Sequence, residues 1–84
     1  MGSISDDKAP PPKTLRKRLA AQVRQRRDAL KWSQEHLAEK AGLSQVYVSN
    51  VESAKRAVSV DVVERLARAL AVQPEVLLSE PSSR

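Results

Sequence analysis

Apolar residues in this chain recur at three- and four-residue intervals, and polar and apolar residues nowhere alternate as along a half-buried strand. Leu15, Leu19, Val23 and Leu30 make one such stripe and predict a first helix over about residues 14–30, with Thr14 as its N-cap. A single start signal then repeats along the chain. An apolar residue precedes a polar cap, and a second apolar residue follows five positions after the first, the spacing of a hydrophobic staple. Trp32-Ser33 with Leu37, Leu43-Ser44 with Val48, Val58-Ser59 with Val63 and Val72-Gln73 with Leu77 all fit it. They predict helices over about residues 34–41, 45–53, 60–71 and 74–79, the last with Pro74 at its first position. In the fourth helix Val63, Leu66, Ala67 and Leu70 form the inner stripe, and Asp61 with Arg65 and Glu64 with Arg68 are spaced to pair outside. The pattern describes a compact all-α domain of five helices.

Within it, residues 34–53 read as two short helices that cross closely. Ala38 is small where the backbones approach, Leu37 and Ala41 point inward, and Gly42 can take positive φ at the end of the second helix. Leu43 then turns in, and Val48 and Val51 supply the inner face of the third helix. Such a helix-turn-helix presents its second helix to a DNA major groove. The opposite side of that helix carries Gln45, Val46, Ser49, Asn50 and Ser53. An ordinary solvated face would usually carry Lys and Glu. This one is uncharged and rich in amides, which suits bidentate bonding to adenine by Gln45 and Asn50 and contact of Val46 with a thymine methyl. Arg27 interrupts the stripe of the first helix between Val23 and Leu30, and Glu52 lies near the inner face of the third. Lone charges so placed are costly, so the two are expected to meet as a structural ion pair; the alternative is that each side chain reaches out to water.

Composition sharpens this picture in a few places. Eighty-four residues make one small domain, and with Trp32 and Tyr47 as the aromatics the core must be Leu, Val and Ala. A domain of this size gains from a second copy. The absence of cysteine excludes disulfides, thiolate metal sites and a thiol nucleophile. No apolar run approaches the roughly 20 residues that span a bilayer, and the polar, Pro-rich start does not read as a signal peptide, so a cytoplasmic protein without membrane contact is expected. Residues 1–12 read as a disordered arm, 13–79 as the helix-turn-helix domain and 80–84 as a flexible tail. The net charge of +5 is concentrated early: Lys13, Arg16, Lys17, Arg18, Arg24, Arg26, Arg27 and Lys31 face Asp28 as the single acid among them. Such a block either binds polyanions or simply solvates a helix; its first part, Lys13 to Arg18, would follow the prolines onto a duplex. No enzyme is indicated. His36 is the single histidine, with Glu39 three residues on, which is more often an exposed polar residue than a metal ligand. Nothing implies a cofactor, a metal or a small-molecule ligand.

At this point the residues resemble a known family. Ser33-Gln34, Leu37-Ala38, Ala41-Gly42, Leu43-Ser44, Val48, Val51-Glu52 and Leu66-Ala67-Arg68-Ala69-Leu70 resemble the Cro/C1-type (XRE) helix-turn-helix family of phage repressors and restriction–modification controller proteins. The likeness covers about residues 15–78 and implies a lambda-repressor-like fold. The stretch from Tyr47-Val48-Ser49 to Arg56-Ala57-Val58-Ser59 is similar to controller proteins in particular. The resemblance implies that Gln34 bonds a backbone phosphate. It places Gln45, Val46 and Asn50, with Ser49 beside them, at base-reading positions, and Tyr47, Lys55 and Arg56 near phosphates. It also places an Arg–Glu pair at Arg27 and Glu52. Where the family often has glycine in its turns, this chain has Lys31, Ala54 and Ala71, which predicts a changed loop after the third helix.

The expected function is that of a sequence-specific regulator of transcription, binding a pseudo-palindromic double-stranded DNA operator as a homodimer. Val76, Leu77 and Leu78 offer more apolar surface than one short helix buries and are the expected dimer contact. The alternative is a helix-turn-helix used to bind protein, as in an antitoxin or co-activator. Acidic residues on the third helix would favour that, and Glu52 is the one present.

Overall fold

The structure is a computed structural model that describes residue 11 and residues 13–81. The expected arm over residues 1–12 (Pro11 apart) and the final residues 82–84 lie outside the described residues. Five helices follow in order: α1 (Thr14–Ala29), α2 (Gln34–Ala41), α3 (Gln45–Glu52), α4 (Val60–Leu70) and α5 (Pro74–Leu77). The described residues form an all-α fold without strands.

The repeated start signal acts as its chemistry requires. Ser33, Ser44 and Ser59 are extended N-caps whose hydroxyls accept from the N–H groups of His36, Tyr47 and Val62 at 3.0, 3.0 and 3.2 Å. Each satisfies a donor that the helix start would leave unpaired. Trp32, Leu43, Val58 and Val72 pack against the core, and their staple partners Leu37, Val48, Val63 and Leu77 are buried in it. Gln73 makes no side-chain cap, so α5 begins on Pro74 and its staple alone.

The start of α1 differs from expectation. Thr14 is the first helical residue rather than the cap; Lys13 precedes it at φ 69°, and the Thr14 hydroxyl donates to the Pro11 carbonyl at 2.6 Å. Leu15 and Leu30 are 47% and 45% exposed and do not belong to the buried stripe. The reason is length. Sixteen residues of helix extend about 24 Å, longer than α3, α4 or α5, the helices that pack against it, so its ends overhang. Leu19, Ala20 and Val23 carry the burial, and Gln22 joins them. The Gln22 amide donates to the carbonyl and hydroxyl of Ser79 at 3.3 and 3.2 Å, tying the middle of α1 to the residues after α5.

The ion pairs expected on α4 do not form. Arg65 instead reaches the Gly42 carbonyl at 3.3 Å and so covers the end of α2. Gly42 itself stands at φ 71°, a conformation that favours glycine. Three turns where the family often has glycine take left-handed backbone here without it. Lys31, Ala54 and Ala71 take φ 61°, 58° and 60°, making left-handed turns with side chains that disfavour them by roughly 1–2 kcal/mol each.

Candidate nucleic-acid interface

Helix α3 is sorted into two sides by its packing on α1 and α2. Val48, Val51 and Glu52 are buried. Gln45, Ser49 and Ser53 are exposed, Val46 is 70% exposed, and Asn50 is half-buried. The amide-bearing side is therefore open to solvent. Gly42 lets α2 end and α3 begin within a few residues, and Ala38, buried at the crossing, allows the close approach.

The position of α3 is locked by one carboxylate. Arg27 and Glu52, with side chains 14% and 3% exposed, meet through two hydrogen bonds, Nε to Oε2 at 2.6 Å and Nη2 to Oε1 at 3.0 Å. This hydrogen bonding raises the Arg27 pKa above its ordinary value against the opposing effect of burial, with further help from the charges of Glu52 and Asp28. The Asp28 contact, at 3.3 Å, is on an exposed partner and adds little. Arg27 also donates to the Trp32 carbonyl at 2.7 Å, and Arg24 donates to the Glu52 carbonyl at 3.0 Å. Gln34, which resemblance puts at a phosphate, donates from Nε2 to Glu52 Oε1 at 3.0 Å. An amide nitrogen has two N–H groups, so one remains for another acceptor. Helices α1, α2 and α3 are thus joined at Glu52. The bonds of Arg24 and Gln34 to Glu52 span 28 and 18 residues, which leaves no local signal in the sequence to find them by.

Around this helix stand the other named residues. Tyr47 packs against the core, and Lys55 and Arg56 are exposed in the turn after α3. The Arg56 guanidinium lies over the Tyr47 ring, 5.1 Å from its centroid. His36 makes an edge-on contact with Trp32, ring centroids 4.7 Å apart. At the far end of the domain the expected dimer contact needs correction. Leu77 is fully buried in the monomer core and has no surface to offer, because as the staple partner of Val72 it points inward. Val76 and Leu78 are half-buried. Leu78 also lines an open groove of about 450 Å³ with Leu15, Val58, Val60 and Val63. Among the described residues no helix is long and apolar enough to cross a membrane.

A helix-turn-helix family model matches residues 23–77, most of the chain. The chain belongs to the Cro/C1-type helix-turn-helix family. As a member it is a DNA-binding regulator. A hypothetical transcription factor of Neisseria meningitidis is 39% identical over 75 residues, 89% of this chain and 71% of that protein. The restriction–modification controller protein C.AhdI of Aeromonas hydrophila superposes with a TM-score of 0.71 at 37% identity, covering 74% of this chain and 94% of that one. The P22 c2 repressor, solved with a synthetic operator, superposes with a TM-score of 0.70 at 28% identity, over 75% of this chain and 96% of the repressor. The matched region runs from Val23, within α1, to Leu77 at the end of α5, and contains α2, α3 and α4 whole.

Proposed function

We propose that residues 13–79 form a sequence-specific DNA-binding domain that occupies a pseudo-palindromic operator as a homodimer and so regulates transcription in the cytoplasm. The observation that carries this reading is the outer side of α3, uncharged, amide-bearing and open. Gln45 and Asn50 are suited to pair with adenine edges, Val46 to meet a thymine methyl, and Ser49 to bond either beside them. Without a basic residue on that side, α3 has no means of bidentate guanine reading. The second N–H of Gln34, Lys55 and Arg56 would hold the flanking phosphates and set register rather than sequence.

A single α3 spans few base pairs, and two copies on half-sites about one helical turn apart give useful affinity. The surface that supports pairing is Val76 and Leu78 with the adjoining groove, where Leu15 and Val60 expose apolar area that a monomer leaves wet. The likeness to C.AhdI favours a controller-type regulator.

Selection of duplexes from a random pool, followed by titration of the selected site and a scrambled one at fixed salt, tests the proposal. An inverted repeat bound by two chains, at least about 10³-fold more tightly than the scrambled duplex, is expected. Equal affinity for both would remove the base-reading role. No binding to any duplex at low salt would replace the proposal with a protein-interaction module.

A further inference from the structure

Arg56 differs from Arg24 and Arg27, which bond oxygens around Glu52, in having an aromatic ring as its neighbour. Among the described residues both ion pairs belong to Arg27, so the Arg56 charge is uncompensated. What it has is the face of Tyr47, 5.1 Å from guanidinium carbon to ring centroid. Both partners are fixed to α3. Tyr47 packs on the core from the first turn, its N–H bonded to the Ser44 hydroxyl at 3.0 Å. Arg56 is brought back by the left-handed turn at Ala54 and by the Lys55 N–H, which donates to the Asn50 carbonyl at 3.0 Å.

A guanidinium over an aromatic face is held there by its charge and not by a hydrogen-bond acceptor, so a bidentate acceptor such as a phosphate can still take its N–H donors. An arginine that binds from solution must first lose its rotamer freedom, and one already held by a ring has lost part of it. We infer that Tyr47 is a positioning residue whose ring, rather than its hydroxyl, prepares Arg56 to grip a phosphate beside the groove that α3 enters. The inference rests on the DNA-binding function proposed above. It gives Tyr47 an indirect role in place of the direct phosphate contact that resemblance alone implies.

The ring contact is read first in the free protein by NMR. The Arg56 side-chain protons should be shifted upfield in wild type and Tyr47→Phe, and revert in Tyr47→Leu; identical shifts in wild type and Tyr47→Leu would overturn the inference. DNA titrations over a salt series then read the role, with thermal unfolding used to correct for folded fraction. Tyr47→Phe and Tyr47→Trp, which keep a ring, should bind like wild type. Tyr47→Leu should lose about two- to fivefold in affinity on every sequence with an unchanged salt slope. Arg56→Ala should reduce that slope by about one, and adding Tyr47→Leu to it should cost nothing further. A loss in Tyr47→Phe equal to that in Tyr47→Leu would assign the phosphate to the hydroxyl and overturn the inference. So would independent, multiplying effects of the two substitutions. Upfield Arg56 shifts in a protein that binds no duplex would sink the DNA-binding function and this role with it, and leave a stacking pair of structural use.

Discussion

The two sides of α3 come from the same eight residues and meet opposite ends. On the inner side every group is committed. Val48 and Val51 fill the core, and the Glu52 carboxylate accepts from Arg27 and Gln34. On the outer side, the amides of Gln45 and Asn50 and the hydroxyl of Ser49 take part in none of the hydrogen bonds among the described residues. Stability and recognition are thus divided across one helix. The inner side fixes where the helix lies, and the outer side is left with bonding capacity for something else. Substitutions on the two sides should therefore be read by different instruments.

Glu52→Ala should have the largest effect. It strands the Arg27 charge in a site where its side chain is 14% exposed and frees the Gln34 amide, a loss of about 3–5 kcal/mol in stability by urea unfolding. A change below about 1 kcal/mol would mean that the inner side is not what holds α3. Gln45→Ala and Asn50→Ala should instead leave unfolding within about 0.5 kcal/mol of wild type. Each should cost about 1–3 kcal/mol in binding at one operator position, read by titrating single base-pair variants. Equal losses at all positions would erase the proposed base-reading role of the outer side. Ser44→Ala removes the cap shared by both sides and should lower stability by about 1 kcal/mol in the same urea assay. The smallest effect belongs to the turn that follows. Ala54→Gly relieves a positive φ and should raise stability by about 0.5–1 kcal/mol in thermal unfolding, with base preference unaltered. A loss of stability there would show that Ala54 is not strained.

How much of this was legible beforehand depended on distance along the chain. The starts of α2, α3 and α4 were readable because cap and staple act within five residues, as at Ser33 with Trp32 and Leu37. The ends of α1 are not legible in the same way, because nothing local to Leu15 or Leu30 tells how far the packing partners of α1 extend. Leu77 does not belong with Val76 and Leu78 at the surface, because its staple with Val72, itself a local pattern, turns it inward. Arg27 and Glu52 could be paired in advance, since each was a charge set on an apolar stripe. Gln34 and Arg24 could not, for they join Glu52 across 18 and 28 residues from positions with no anomaly of their own. The contact of Arg56 with Tyr47 depends on the left-handed turn at Ala54, a conformation that alanine does not advertise.

The order of helices, the starts of those after α1 and the chemical character of the α3 outer side were properties of the sequence, because capping, stapling and periodicity are local and repeat every few residues. The tertiary structure alone decided which overhanging leucines stay wet, which carboxylate gathers three helices, and which ring an arginine rests on. Those outcomes depend on where distant segments end up in space, and burial and hydrogen-bond saturation are settled only once the segments meet.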